Sequence, residues 1–402
     1  MTAIKVNLLV RSNMDRIVYL DNNATTQMAS EVAQIMRDNE SLYGNASSMH
    51  SCGRDAASAI EWAREEVAAL IDGDKSCVYF TSGASESNNT IFSTFRDLID
   101  DGSKRNRIIT TTIEHPSIIE EVKYLKKKGY KIDEAPVDVY GKVKLDVLKS
   151  MLGDDVALVS VMWGNNETGT IQDIKEIGRL AHECGAYFHS DATQAIGKIK
   201  VSIRDCNVDY LSLSGHKFYG PKGIGVLYVA KNAPITPFVH GGHQEKGYRA
   251  GTYNTLNIIG LGEAAKLARE GLQEEHDKLL ALRERLRKGI EERIDHVVIN
   301  GHPTDFLPGT LNVSFPNAEG ESILLYLDME GIEVSTGSAC ATGSLEPSYV
   351  LLASGLDVEL AHGSIRFSLG RYNTVEDVDY TLEKLPSIIE RVRRMSTRKE
   401  FK

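Results

Sequence analysis

Short apolar runs alternate with amphipathic stretches through the first 260 residues of the chain. The run 156–162 (VALVSVM) is apolar enough to predict a strand that is buried on both faces. Stretches with helical periodicity include 58–71 and 174–184. Shorter apolar runs that predict further strands lie at 108–112, 186–189, 210–213 and 225–229. This alternation predicts an α/β domain whose sheet is mainly parallel and flanked by helices.

The pattern changes after residue 262. A long charge-rich helix or helix pair is predicted over about 262–294, and strands such as 310–315 then mix with helices. We therefore expect a large α/β domain over 17–262 and a smaller α+β domain over 263–402. The N-terminal arm, residues 1–30, is expected to pack on the smaller domain.

Composition and charge narrow the class of protein. The 402 residues carry a net charge of −10, which argues against direct binding of nucleic acid. No apolar run reaches the roughly 18 residues that a membrane span needs, and the apolar stretch near the N-terminus is too short for a signal peptide. The five cysteines are irregularly spaced without a Cys-x-x-Cys pair, which argues against disulfides or a metal site. A cytoplasmic protein without a membrane partner is expected.

The segment 214–223 (SGHKFYGPKG) contains the most informative lysine of the chain, Lys217. It follows a predicted strand, has hydroxyl and imidazole neighbours, and precedes a Gly-Pro turn. Such a context suits an amine that forms a Schiff base with an aldehyde, next to ligands for a phosphate. On this segment alone, a surface lysine in a strand-to-loop turn is an open alternative.

Three further segments carry candidate chemistry at strand ends. The turn 81–89 opens a helix, where backbone N–H groups can bind an anion or form an ordinary N-cap. Asp191 ends a predicted strand, where a carboxylate can keep a pyridine nitrogen protonated or cap the next helix. His115 also follows a strand, and could stack on a flat ring and move protons or be structural.

Two residues of the C-terminal part suggest a substrate. Cys340 lies among small polar residues in 337–344 (GSACATGS), whereas a buried structural cysteine normally has apolar neighbours. Arg366 lies in the strand-like run 364–368, where its guanidinium could bind the carboxylate of an amino acid or form a structural salt bridge.

Taken together, these motifs resemble those of the NifS/IscS-type cysteine desulfurases, pyridoxal-phosphate enzymes of the class V aminotransferase family with fold type I. The resemblance extends from about residue 18 to about residue 379. The matching stretches are 18–26, 44–50, 165–169, 214–223, 249–252 and 345–349. The resemblance implies a large domain that binds pyridoxal 5'-phosphate, and a smaller domain that carries the loop of the catalytic cysteine.

The resemblance also implies a role for each matching residue. Lys217 would bind the cofactor and move the substrate Cα proton, Cys340 would attack the substrate sulfur, and His115 would stack on the ring and serve as proton acceptor. Asp191 would pair with the ring nitrogen and Gln194 with the ring hydroxyl. The phosphate ligands would be Ala84 through its backbone, Ser85, Ser214, His216 and, across a homodimer interface, Thr252. The substrate would be bound by Arg366, Asn166 and Asn45, of which Asn166 would also contact the cofactor.

The implied reaction converts L-cysteine to L-alanine, holds the sulfur as a persulfide on Cys340, and passes it to an acceptor protein. An iron–sulfur scaffold and a thiolation enzyme are both open as acceptors. Some positions depart from the family pattern. Ser85 replaces a more common threonine, Gln27 and Ala46 replace frequent prolines, and His243 lies in a usually glycine-rich turn.

Two other hypotheses about the function are open. One is another class V enzyme, such as an aminotransferase or a selenocysteine lyase. A plain aminotransferase has no use for Cys340, but a preference for selenocysteine is not excluded. The other is a non-catalytic sulfur-relay or scaffold protein, against which the joint presence of Lys217, Asp191, His115 and Cys340 argues.

Overall fold

The computed structural model describes residues 16–336 and 346–396. The strands are β1 Val18–Tyr19, β2 Val78–Thr81, β3 Arg107–Thr111, β4 Lys131–Ala135, β5 Val156–Ser160, β6 Tyr187–Asp191, β7 Tyr210–Ser214, β8 Gly225–Val229, β9 Val298–Asn300, β10 Thr310–Ser314, β11 Ile332–Glu333 and β12 Ser364–Ser368. The helices are α1 Ser30–Asp38, α2 Ser51–Leu70, α3 Ala84–Asp100, α4 Pro116–Lys127, α5 Leu145–Met151, α6 Ile174–Glu183, α7 Ile203–Cys206, α8 Thr255–Glu270, α9 Leu272–Arg293, α10 Gly320–Met329, α11 Tyr349–Ala353, α12 Val358–His362 and α13 Val375–Met395.

A seven-stranded sheet forms the centre of the fold, with strand order β2-β8-β7-β6-β5-β3-β4. The strands from β4 to β7 pair in parallel, whereas β8 runs antiparallel to both β7 and β2. All five residues of β5 and of β7 are buried, as expected for strands with both faces covered. The predicted α/β class with a mainly parallel mixed sheet is confirmed.

Successive side chains of the central strands point into two different apolar layers. In β5, Leu158 packs with α3 and α4, whereas Val159 packs with the core that includes α2 and α8. In β7, Tyr210 and Leu211 alternate in the same way. Helices therefore cover both faces of the sheet, and only its edges and strand ends are left for a site.

A second core lies around a three-stranded antiparallel sheet with order β12-β10-β9. Helices α9, α10 and α13 pack on it, and Val18 and Leu20 of the N-terminal segment are buried in the same core. Strand β1 pairs in parallel with β11, which ties the beginning of the described chain to this part of the molecule.

The long helix or helix pair predicted over 262–294 is a pair of helices that meet at Gly271. Leu261 and Ala265 of α8 belong to the first core, whereas Leu282 and Leu286 of α9 belong to the second. The packing therefore changes at Gly271, somewhat later than the expected change at 262. The division into two domains stays a prediction.

Helix α11 comes late in the chain, yet it packs on the first core through Val350. Ser348 Oγ donates to Glu167 Oε2 at 2.5 Å, and the Tyr349 hydroxyl donates to the backbone oxygen of Glu114 at 2.5 Å. Within the described ranges, no helix has the length and apolar character to cross a bilayer.

Candidate active site

A cleft of about 540 Å³ lies at the carboxyl ends of β5, β6 and β7, where open α/β sheets bind ligands. The start of α3, the N-terminal residues 23–25 and Arg366 of β12 complete its lining. Ten predicted site residues line it, namely Ala84, Ser85, His115, Asn166, Asp191, Gln194, Ser214, His216, Lys217 and Arg366. A larger groove of about 880 Å³ beside α6 contains none of the predicted residues.

Asp191 is the last residue of β6 and is buried at the bottom of the cleft. Its Oδ2 accepts a hydrogen bond from Asn88 Nδ2 at 2.7 Å, and its Oδ1 accepts one from the Thr193 backbone N–H at 2.9 Å. Both carboxylate oxygens are thus held in place by neutral donors rather than by a cation. A protonated ring nitrogen is the kind of partner that this carboxylate would favour.

Lys217 follows β7 in a short 3-10 turn, Gly215–Lys217. Its Nζ donates to the backbone oxygens of Asn23 and Ala24 at 2.5 and 2.9 Å. The same Asn23 oxygen accepts from Gln194 Nε2 at 2.9 Å. The N-terminal segment therefore brings the lysine amine and the Gln194 amide to one point of the cleft.

His115 is the N-cap of α4, where its Nδ1 accepts a hydrogen bond from the Ser117 backbone N–H at 3.2 Å. Nε2 then carries the hydrogen of the neutral ring, an assignment inferred from this bond. Burial lowers the pKa of His115 and the Lys217 ammonium lowers it further, although Asp191 opposes the change. The imidazole is therefore kept neutral at the pH where most enzymes work.

The start of α3 lies at one end of the cleft. The first N–H groups of a helix have no partner within the helix and favour an anion. Strand β8 approaches this turn so closely that a Cβ on Gly225 would lie 2.5 Å from the Gly83 Cα, so a glycine is required there. His216 adds its ring beside Thr25 Oγ1 at 3.1 Å, and burial lowers its pKa to about 4.

The opposite end of the cleft contains Arg366, which is buried in β12. Its Nη2 donates to Asp21 Oδ1 at 2.7 Å and its Nη1 to the Asn166 backbone oxygen at 3.0 Å. Within the described part of the chain, Arg366 Nε and Asn166 Oδ1 have no hydrogen-bond partner. Buried polar atoms without partners in a cleft indicate a ligand that supplies them.

Three predicted site residues are not brought to this cleft. Asn45 is exposed, and its Oδ1 accepts from the Ser47 backbone N–H at 3.0 Å. Thr252 is exposed as well, and its predicted contact lies across an interface with a second chain. Cys340 lies outside the described residues. The roles of these three residues stay predictions.

The structure adds three residues that sequence reasoning did not single out: Asn23, Asn88 and Lys198. Asn88 lies one helical turn after Ala84 in the segment 81–89, so helical spacing would have placed it near the strand ends. Asn23 lies in one of the stretches that carry the family resemblance. Lys198 gave no signal in the sequence, because a lysine soon after a predicted strand is normally exposed.

The chain was compared with protein-family models, curated proteins and solved structures. The model of the class-V aminotransferases matches residues 18–381. The cysteine desulfurase IscS of Clostridium botulinum is 48% identical over 390 residues, with 95% of this chain and 97% of the relative covered. The cysteine desulfurase NifS of Azotobacter vinelandii is 43% identical over 381 residues, 94% of each chain. A solved NifS-like protein has a TM-score of 0.87 at 41% identity, covering 93% of this chain and 100% of its own.

The chain therefore belongs to the class-V aminotransferases, a family of pyridoxal-phosphate-dependent enzymes. Within that family, its relatives place it among the cysteine desulfurases of the NifS and IscS type.

The cleft fits pyridoxal phosphate on its own geometry. It offers an amine on Lys217, a buried carboxylate on Asp191, an amide on Gln194 and a helix N-terminus at Ala84. These groups match an aldehyde, a ring nitrogen, a ring hydroxyl and a phosphate, respectively. The described residues contain no cluster of three or more His, Cys, Asp or Glu side chains suited to a metal ion.

Proposed function

We propose that this enzyme converts L-cysteine to L-alanine, holds the released sulfur as a persulfide on Cys340 and transfers it to an acceptor protein. The observation that carries the proposal is the convergence of Lys217, Asp191, His115 and Arg366 on one cleft. A lysine amine, a buried carboxylate and a guanidinium together suit an α-amino acid that is activated at its Cα. The relatives named cysteine desulfurase support the choice of cysteine as substrate.

Arg366 and Asn166 are proposed to bind the substrate carboxylate. Arg366 is already oriented by Asp21, so its guanidinium needs little reordering when the substrate arrives. Its Nε and the Asn166 Oδ1 are buried without a hydrogen-bond partner among the described residues, which supports a ligand beside them. Asn45 is proposed to act on the substrate as well, although it does not line the cleft of this protomer.

Lys217 is proposed to take the proton from the substrate Cα. Pyridoxal phosphate, when bound, supplies an electron sink that acidifies this proton. The two backbone oxygens of Asn23 and Ala24 orient the amine, and Asp191 would keep the ring nitrogen of the bound cofactor protonated. Gln194 is proposed to bind the ring oxygen, and Ala84, Ser85, Ser214 and His216 the phosphate.

The sulfur step requires Cys340 as a thiolate. Its sulfur attacks the substrate sulfur, a new S–S bond forms, and the substrate C–S bond breaks. The bonding pair remains with the carbon fragment, which takes up a proton and leaves as alanine. His115 is proposed to accept the thiol proton. A neutral imidazole is required for this role, which agrees with its lowered pKa.

A homodimer is proposed because Thr252 is exposed in a loop that is firmly held by its own chain. Arg249 of this loop pairs with Glu86 at the start of α3, and Glu245 forms a buried ion pair with Arg64 at 2.8 Å. A fixed, exposed phosphate ligand suits the cleft of a second copy. An iron–sulfur scaffold or a thiolation enzyme is the proposed acceptor, and the irregularly spaced cysteines favour a reducing, cytoplasmic compartment.

The test is to assay alanine and sulfide from L-cysteine with reductant and pyridoxal phosphate, for the wild type and Cys340→Ala. We expect equal amounts of both products from the wild type. C340A should lose at least about 99% of both while it keeps its yellow colour, because the cofactor stays bound and only the nucleophile is lost.

Cys206→Ala serves as the matched control, since Cys206 is half-buried in α7, away from the cleft lining. It should behave as the wild type. A yellow wild-type protein that forms neither product would overturn the proposal, as would a C340A variant with full activity.

A further inference from the structure

A second lysine lies below the cleft and has no part in the mechanism proposed above. Lys198 is only 6% exposed. Its Nζ donates to Gln194 Oε1 at 2.8 Å and to Asn23 Oδ1 at 2.9 Å. No carboxylate of the described chain forms a salt bridge with it. Its ammonium group donates instead to two neutral amide oxygens.

These two bonds decide which way the Gln194 amide faces. Oε1 accepts from Lys198, and Nε2 donates to the Asn23 backbone oxygen. A flipped amide would set its NH2 group against the Lys198 ammonium and its oxygen against a carbonyl oxygen. Both contacts would be repulsive, so the observed orientation is strongly preferred. The second N–H of Nε2 is then the polar group that Gln194 offers to the cleft.

The same ammonium fixes the side chain of Asn23. Asn23 Oδ1 accepts from Lys198, and Nδ2 donates to the Asn166 backbone oxygen at 3.1 Å and to Thr310 Oγ1 at 2.9 Å. The backbone oxygen of Asn23 in turn accepts from Lys217. Lys198 is thus joined, through one residue, to the amine that binds the cofactor.

We propose that Lys198 is a positioning residue of the active site: it fixes the Gln194 amide so that an N–H, and not the carbonyl oxygen, meets the ring oxygen of the cofactor. The inference rests on the proposed role of Gln194. An N–H donor stabilises the ring oxygen in its negatively charged form, which makes the nitrogen of the Lys217 Schiff base less basic. Lys198 acts only through Gln194 and Asn23.

The electrostatic cost of Lys198 argues against a role as mere filler. Burial, the largest cause, and the positive charges of Lys217 and Arg366 together lower its pKa to about 7, and Glu275 opposes them. A methionine would fill similar space without that cost. The burial of a lysine at this position is explained if its N–H donors are needed to orient Gln194 and Asn23.

The test compares Lys198→Met, which removes the donor, with Lys198→Gln, which is neutral but keeps an N–H. The cofactor absorption of each purified holoenzyme is titrated with pH. We expect K198M to raise the midpoint of the absorption change by about one pH unit, and K198Q to raise it by less than half of that. Lys200→Met is the matched control, because Lys200 is exposed and pairs with Asp205; its midpoint should not change.

Several outcomes would overturn the proposal. Equal shifts of the midpoint in K198M and K198Q would mean that the charge of Lys198, and not its N–H, sets the midpoint. A folded K198M with the wild-type midpoint would mean that neither the charge nor the N–H of Lys198 sets it. Thermal melting of the cofactor-free proteins reports folding. If K198M does not fold, K198Q alone tests the proposal. A shift of a full pH unit in the midpoint of K198Q, which keeps an N–H, would contradict the orienting role of Lys198.

Gln194→Ala separates this inference from the function on which it rests. If Q194A has the wild-type midpoint, the proposed role of Gln194 fails. If Q194A shifts and K198M does not, the role of Gln194 stands and only the inference about Lys198 is wrong.

Discussion

The cleft has two sides that are built in different ways. The lysine side consists of Asp191, Lys217 and the start of α3, all at one end of the seven-stranded sheet. The arginine side consists of Arg366, Asn166 and Asp21. Its members come from β12 of the second sheet, from a loop after β5 and from the N-terminal segment, and Arg366 and Asp21 are 345 residues apart.

This difference separates the two binding roles that we propose for the site: the lysine side binds the cofactor, and the arginine side binds the substrate. The geometry of the lysine side is set by hydrogen-bonded neighbouring strands, which few substitutions can displace. The arginine side depends on how the two cores pack against each other. We therefore expect damage on the lysine side to affect the bound cofactor, and damage on the arginine side to affect the substrate while the cofactor stays in place.

The largest effect is expected for Lys217→Ala. Without the amine there is neither a Schiff base nor a base for the Cα proton, so alanine formation should fall by about a thousandfold or more. The absorption of the bound aldehyde should replace that of the Schiff base. Lys200→Ala, at an exposed position, is the control and should be fully active. A K217A variant with a tenth of normal activity would contradict the assignment of the lysine side.

A smaller effect is expected for Arg366→Lys. A lysine keeps the charge but cannot bind Asp21, Asn166 and a carboxylate together, so kcat/KM for L-cysteine should fall by about 10- to 100-fold. The absorption spectrum should not change. Arg371→Lys is the control, because Arg371 pairs with Glu275 outside the cleft lining. Loss of the cofactor from R366K would show that the two sides are not separable.

The smallest effect concerns Glu114, which is buried beside His115. Burial, the largest cause, and the negative charge of Asp191 raise its pKa from 4.5 to about 8, although hydrogen bonds from Thr111 Oγ1 and the Met162 N–H oppose the change. Folding thus favours the protonated carboxyl. The stability from this group is complete below pH 4.5 and is lost as the pH rises through 8.

The melting temperature of the wild type should therefore fall between pH 4.5 and 8, and that of Glu114→Gln should fall by a few degrees less. Melting curves across this pH range check the prediction. Glu120→Gln, an exposed glutamate of the same helix region, should keep the wild-type pH dependence. An E114Q curve parallel to that of the wild type would contradict the raised pKa.

Much of the lysine side could be predicted from the sequence. Strands are local features, and the apolar runs at 156–162 and 210–213 both form parallel strands of the sheet. Residues that follow such strands, among them Asp191 and Lys217, are brought together by the sheet itself. On the arginine side, the strand-like run 364–368 made Arg366 a candidate carboxylate ligand, but its pairing with Asp21 was not predicted, because no periodicity connects the two residues.

Two kinds of information were beyond the sequence. The helical pattern was predicted to form one long helix or a helix pair, and the break at Gly271 becomes visible only when α8 and α9 are assigned to different cores. The burial of Lys198 is equally hidden, because one of the two residues that accept its hydrogen bonds, Asn23, lies 175 residues away along the chain.

The placement of α11 has a consequence for how the molecule unfolds. The chain leaves the second core after β11, attaches to the first core through Ser348, Tyr349 and Val350, and then returns to the second core at β12. If either core unfolds, it displaces segments that stabilise the other core. The two cores are therefore expected to form a single cooperative unit, whose free energy of unfolding is shared between them.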